Sequence, residues 1–446
     1  MPAPWRIVGS LALIVLIGTA LLLLPFSSAE RPLTPPQAFF TAVSALSVTG
    51  LSVIAPGRDL SLFGQLVLLG MIQIGGVGFM VVAVVVLRVL GRAVALEDRL
   101  ALRDSLGLIN LAEIVQLTGR SLVVIALVEL AGAVLLWLHW RTFLPLSEFR
   151  VMLYALFHAV SAFCNAGFDL FGGSPQFPGG LPKDSLTLTL LALLILIGGL
   201  GIPVIADLIN WPRYRTLSLH TRLTLVTTAT LSLVGTALMF ISETLSSSPV
   251  TMEQLTPLER LGIALFQAIS ARTAGYASFE HLEQISAGSR VTLMVLMFVG
   301  AAPASMGGGI TTGTFAVLVI AAWSFLRGLP VAQVSHRTID ALTLRRASTV
   351  MIVALALVST ATYLVAITNP QVSLDRVLFE VVSAFATCGL SLALTEQLNV
   401  FGQLVIAVVM FWGRLGTLTL VTAVTALSLF RRKHLVGYPE AHVLIG

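Results

Sequence analysis

One short pattern occurs four times in this chain and constrains it more than anything else. Phe40-Thr41-Ala42-Val43-Ser44-Ala45 is followed by Gly50-Leu51, and Phe157-His158-Ala159-Val160-Ser161-Ala162 by Gly167-Phe168. Phe266-Gln267-Ala268-Ile269-Ser270-Ala271 is followed by Gly275-Tyr276, and Phe379-Glu380-Val381-Val382-Ser383-Ala384 by Gly389-Leu390. The four glycines are 117, 108 and 114 residues apart. A unit of about 110 residues used four times must fold as four like parts around something shared.

What surrounds the pattern fixes the solvent. Each copy lies between two long apolar runs: 5–26 and 60–90, 121–140 and 186–209, 223–241 and 290–326, 347–367 and 401–430. With 57% hydrophobic and 11% charged residues, the chain suits lipid rather than water. A helix rises 1.5 Å per residue, so about 20 residues cross a hydrocarbon core of ~30 Å. The runs therefore predict eight transmembrane helices. The intervening segments 37–47, 152–163, 258–271 and 375–386 are too short to cross and read as four re-entrant pore helices. The predicted fold is an all-α integral membrane protein: four helix–pore-loop–helix repeats around one pseudo-fourfold pore. Its divisions are repeat one (1–92), a cytoplasmic linker (93–120), repeat two (121–215), repeat three (216–330, with an interrupted stretch at 300–314), repeat four (331–430) and a cytoplasmic tail (431–446). The first run ends in Ser-Ser-Ala-Glu, which resembles a leader cleavage site, but it exceeds the about 7–15 apolar residues of a leader and fills the first-helix slot of its repeat.

Charge orients the chain. With the amino terminus in the cytoplasm, sixteen of the 26 Lys and Arg residues lie inside, eight lie outside, and Arg272 and Arg414 fall within the membrane. The net charge of +5 follows from this topology and does not argue for nucleic-acid binding. The linker reads either as an amphipathic surface helix or as a docking surface for a cytoplasmic partner. Glu129 in the membrane is either functional or satisfied structurally. Asp169, beside the second glycine, either attracts cations or is solvated. Cys164 and Cys388 do not form a disulfide framework and read as small residues in crowded loops.

Repeat three departs from the others. Its glycine stretch, Arg272-Thr273-Ala274-Gly275, is one residue shorter, and its second apolar run is too long for one helix. Gly300-Ala301-Ala302-Pro303-Ala304-Ser305-Met306-Gly307-Gly308-Gly309-Ile310-Thr311-Thr312-Gly313-Thr314 lies in the middle. Glycine, proline and small polar residues disfavour helix, so two half-helices joined by an intramembrane loop are expected. Irregular backbone at that depth survives where protein buries it or where it lines a watery cavity. Arg414 lies mid-membrane in repeat four and is costly unless it faces a cavity or a partner.

Four glycine-hinged stretches around one axis present main-chain oxygens, which replace the hydration shell of a weakly hydrated cation. Each short helix also aims its negative carboxyl end at the centre. No catalytic constellation is visible, so the chain reads as a pore and not as an enzyme. The alternative is a secondary transporter of another small solute, built on broken helices.

The repeat plan resembles the Trk/Ktr/HKT superfamily of potassium transporters over nearly the whole chain, and is most like the bacterial KtrB-type membrane subunits. The resemblance implies potassium uptake through a selectivity filter of Val48, Thr49 and Gly50; Asn165, Ala166 and Gly167; Thr273, Ala274 and Gly275; and Thr387, Cys388 and Gly389. Members with serine at the first filter glycine are often sodium-permeable, so Gly50 favours potassium. The resemblance also implies a gate: an intramembrane loop including Gly300, Ala304, Ser305, Gly307, Gly308, Gly309 and Thr311, together with Arg414. A charge about 6 Å from a passing cation, at an effective dielectric constant of about 20, repels it by roughly 3 kcal/mol. Further implications are location in the cell membrane, a homodimer, a cytoplasmic ring of KtrA-like nucleotide-binding regulatory subunits, dependence on sodium, and a dimer-contacting tail at 438–446. Nucleotide would act only through the partner.

Overall fold

The computed structural model describes residues 3–77, 111–174, 176–246, 255–279 and 281–416. The expectations for residues 78–110 and 417–446, including most of the linker and the whole tail, lie outside these. The described residues form helices joined by loops, with one small hairpin, Gln333–Val334 with Arg337–Thr338.

Four long helices carry the outward face: α1 (Ala3–Leu22), then, after α2 (Pro35–Ser47) and α3 (Leu62–Val77), α4 (Leu111–Trp140). Next come α5 (Glu148–Phe163), α6 (Ser185–Leu200), α7 (Ile202–Tyr214) and the third long helix, α8 (Leu219–Leu245). They are followed by α9 (Pro257–Ser270), α10 (Ala287–Phe298), α11 (Thr312–Leu326), the fourth long helix α12 (Ala341–Thr368), α13 (Leu374–Phe385) and α14 (Val400–Leu415). Among the described residues, three helices within α4, α8 and α12 are long and apolar enough to cross a membrane, or four spans if the bent α6–α7 pair counts as one. Leu16, Leu127, Leu233 and Ile352 are exposed on their outer faces. Helices apolar on both the packed and the open face belong in lipid.

The short helices α2, α5, α9 and α13 form the buried centre. Residues 40–48 and 379–388 are buried without interruption. Their starts follow local chemistry: Thr34, Ser147, Thr256 and Ser373 occupy the N-caps, and prolines follow Thr34 and Thr256. The Glu259 carboxylate accepts from the Thr256 backbone N–H at 2.9 Å, half of a capping box. Packing then closes a cycle. Helix α5 packs on α3, α9 on α6, α13 on α10, and α2 on α14, so each short helix leans on the helix belonging to the preceding copy of the pattern.

Two observations go beyond the sequence reading. Helix α4 already includes Leu111, inside the stretch read as linker. The run 186–209, expected as one helix, is broken: α6 and α7 meet at 99° across Gly201, whose φ is 83°. Pro203 supplies the reason, since a proline suits the first turn of a new helix and breaks an old one.

Candidate functional site

The four glycines meet. A methyl group placed on Gly50 would lie 2.3 Å from the carbonyl oxygen of Ala166; on Gly167, 2.2 Å from that of Ala274; on Gly275, 2.0 Å from that of Cys388; and on Gly389, 2.1 Å from that of Thr49. These four contacts form a closed ring in which each glycine touches the middle residue of the next triplet. All four glycines have positive φ, 90°, 65°, 76° and 96°. Conformation and proximity each exclude any other residue there. The leading residues Val48, Asn165, Thr273 and Thr387 also have positive φ, whereas the middle residues do not.

The serine repeated in the pattern pins the turn. Ser44 Oγ accepts from Gly50 N (3.1 Å), Ser383 Oγ from Gly389 N (3.0 Å) and Ser161 Oγ from Phe168 N (3.1 Å), while Ser270 Oγ donates to the Tyr276 carbonyl (2.7 Å). The sequence reading used this serine as a landmark and missed its task; its recurrence in all four copies was the signal. Side chains then join neighbouring triplets. The Asn165 amide and Thr273 hydroxyl are 2.9 Å apart, and with the amide oxygen toward Thr273 its nitrogen donates to the carbonyls of Ala162 (3.0 Å) and Ile195 (3.2 Å). Tyr276 Oη donates to the Phe168 carbonyl (3.2 Å), and Cys388 Sγ to the Ala271 carbonyl (3.2 Å).

On one side the ring opens into a vestibule of about 460 Å³ lined by Gly50, Gly275, Gly389, Ser391, Thr395, Glu283 and Glu396, among others. Arg290 donates to the carbonyl of the lining residue Glu283 (2.8 Å) and pairs with Asp375 at 2.9 Å; the Ser373 hydrogen bond and, against burial, this arginine hold the Asp375 carboxyl below its ordinary value.

On the other side lies the loop of repeat three. Helix α10 ends at Phe298 and α11 starts at Thr312, as expected of two half-helices. The loop contains Gly300, Ala304, Ser305, Gly307, Gly308, Gly309 and Thr311. A methyl group on Gly307 would lie 2.3 Å from Thr273 Oγ1, and one on Gly308 2.6 Å from Thr387 Oγ1, so the glycine run lies directly against the leading residues of two triplets. The break at Gly201 explains how the loop is held. Carbonyls left free at the end of α6 accept from it: Gly199 O from Ala302 N (3.0 Å) and Gly198 O from Met306 N (3.3 Å). Ile202 N at the start of α7 donates to Ala304 O (3.1 Å).

The two membrane arginines both hold this loop. Arg414 donates to the carbonyls of Met306, Gly75 and Gly76, tying loop, α14 and α3 together. Arg272 donates to the carbonyls of Gly300 (3.1 Å) and Thr228 (3.3 Å), and its Nε is buried without a partner among the described residues. Among the described residues, carbonyl partners meet the charge without an acid in either case.

Glu129 is met structurally: Gln73 Nε2 donates to it at 3.1 Å, and the Cys164 thiol lies 3.6 Å away. Asp169 corrects both of its readings, because it is neither free to attract ions nor merely solvated. It faces His158 Nε2 at 3.0 Å and accepts from the backbone N–H of Phe171 (2.7 Å) and Leu181 (2.9 Å), which organises its loop. Among the described residues no cluster of His, Cys, Asp and Glu is arranged to hold a metal.

The chain is similar to known cation transport proteins over nearly its whole length. Residues 7–429 match the family model TrkH, described as a cation transport protein. The chain is 38% identical over 443 residues to Ktr system potassium uptake protein B of Vibrio alginolyticus, covering 97% of this chain and 92% of that protein. It is 35% identical over 440 residues to the protein of the same name in Bacillus subtilis, covering 97% and 94%. It is 33% identical over 444 residues to the potassium/sodium uptake protein NtpJ of Enterococcus hirae, covering 97% and 95%. The crystal structure of the potassium transporter TrkH from Vibrio parahaemolyticus superposes with a TM-score of 0.68 at 20% identity, covering 95% of this chain and 86% of that one.

Proposed function

Since the chain belongs to the TrkH family of cation transport proteins and is a multi-pass membrane protein, we propose that it takes up potassium across the cell membrane through a channel-like pore. The observation that carries this reading is the ring: four main-chain turns, each requiring glycine, abut in sequence and close on themselves. The relatives named as potassium uptake proteins support the choice of ion. Four repeats with eight spans, the amino terminus in the cytoplasm and the vestibule outside complete the picture.

In this mechanism a potassium ion sheds water in the vestibule and is solvated by carbonyls of the four triplets. The carboxyl ends of α2, α5, α9 and α13 add a negative potential below the ring. Passage then waits on the loop. Three backbone hydrogen bonds to α6 and α7 contribute about 1 kcal/mol each, and the bonds from Arg414 to carbonyls about 1.5–3 kcal/mol. Moving a two-state equilibrium from 1:99 to 99:1 takes about 5.5 kcal/mol. A loop held this loosely lies within reach of a cytoplasmic nucleotide-binding regulatory subunit, and a homodimer of such chains on that subunit is part of the proposal. Sodium acts as a co-requirement or a competing ion, a reading that the potassium/sodium uptake relative supports.

The test is flux of potassium and sodium into liposomes carrying the purified chain. Potassium uptake that sodium does not match is expected; equal passage of both ions, or uptake of neither against that of another solute, overturns the reading.

A further inference from the structure

Within the six-residue core of the recurring pattern one position is unrestricted, the residue after its phenylalanine. The chain fills it with a buried polar side chain every time: Thr41, His158, Gln267 and Glu380. Eleven residues further on stand Ser52, Asp169, Ser278 and Ser391. In three copies the two residues meet across the ring-forming turn. His158 Nε2 lies 3.0 Å from Asp169 Oδ1; Gln267 Oε1 accepts from Ser278 N and Oγ, both at 2.9 Å; and Glu380 Oε2 accepts from Ser391 Oγ at 2.7 Å. In the first copy Thr41 Oγ1 has no partner among the described residues, and Ser52 bonds Ile54 instead. The strand leaving the ring is thus clipped back to its own short helix in repeats two, three and four.

The clip of repeat four is the most heavily built. The Glu380 side chain is wholly buried, and its other oxygen accepts from the Thr395 hydroxyl. One turn earlier on α13, Arg376 donates to the carbonyls of Leu392 (2.8 Å) and Ala393 (3.1 Å). The segment these two residues hold supplies Gly389, Ser391 and Thr395 to the vestibule wall. Gly389 in turn is the residue that closes the ring on Thr49.

We propose that Glu380 is a specificity-positioning residue: by holding Ser391 and Thr395 it fixes the stance of Gly389, and so how well the ring distinguishes potassium from sodium. The smaller ion is solvated well only by carbonyls that draw inward. A strand anchored just beyond the ring resists that contraction, and a freed strand allows it. The inference rests on the ring being the selectivity filter.

The experiment measures the potassium-to-sodium permeability ratio of the purified protein in liposomes. The unsubstituted chain tests the filter reading itself; without a potassium preference there, that reading fails and not this one. Given the preference, Glu380→Gln lowers the ratio about tenfold, because a donor replaces an acceptor facing two hydroxyls. Ser391→Ala lowers it by about threefold, and the double variant falls no further than Glu380→Gln alone, as residues acting through one contact are non-additive. Glu243→Gln, at a buried carboxylate that bonds Ser286 (2.7 Å) elsewhere in the fold, leaves the ratio unchanged. An unchanged ratio in both Glu380→Gln and Ser391→Ala overturns the proposal, as does an equal fall in Glu243→Gln. Should Glu380→Gln not reach the membrane, Ser391→Ala decides alone.

Discussion

The ring and the loop beside it are both rich in glycine, and glycine does opposite work in each. In the ring, every glycine is hemmed in by a neighbouring carbonyl, and its turn is pinned by a serine of its own short helix. Main chain is packed on main chain, so each turn is constrained by its neighbour as well as by its own helix. In the loop, Gly307 and Gly308 lie against side-chain hydroxyls of Thr273 and Thr387. What holds the loop is a handful of hydrogen bonds to α6, α7 and two arginines. A site that must discriminate needs fixed geometry, and a site that must open needs contacts that break one at a time.

Substitutions sharpen or break this contrast. The largest effect is expected from Gly275→Ala. A methyl group 2.0 Å from the Cys388 carbonyl has nowhere to go at φ 76°. Potassium uptake should fall by about a hundredfold or more, with the protein still present in the membrane; near-normal flux would show that the ring is softer than argued. Arg414→Ala acts in the other direction, because it releases Met306 from α3 and removes a positive charge. Flux is expected to rise on the order of tenfold, and an unchanged or lower flux in folded protein would remove the arginine from the barrier. Gly307→Ala is the mildest. Its methyl group meets the end of the Thr273 side chain and Ala301 on a loop able to give way. Single-channel or flux recordings should show a rise of about threefold, and a loss as deep as that of Gly275→Ala would mean that loop and ring are one rigid body.

Much of this was legible before any coordinates. The four glycines, the interrupted run at 300–314 and the need of Arg414 for a partner all follow from pattern and from the cost of charge in lipid. Three things were not. The break at Gly201 is settled by the loop 100 residues later, which takes up the freed carbonyls of Gly198 and Gly199 and which no local pattern announces. Asp169 read either as an ion attractor or as a solvated carboxylate, because sequence does not show that His158 and two backbone amides already bond it. Glu380 passed as the variable letter of a motif, since its partners lie beyond the turn that the motif defines. Periodicity reports which face is buried; it is silent about which buried polar groups find each other.

The most direct test of the central claim is to locate the ion. Crystals grown with rubidium or thallium in place of potassium should give an anomalous peak on the axis encircled by the carbonyl oxygens of Thr49, Ala166, Ala274 and Cys388. Heavy-ion density elsewhere in the protein with none inside that circle would contradict the account.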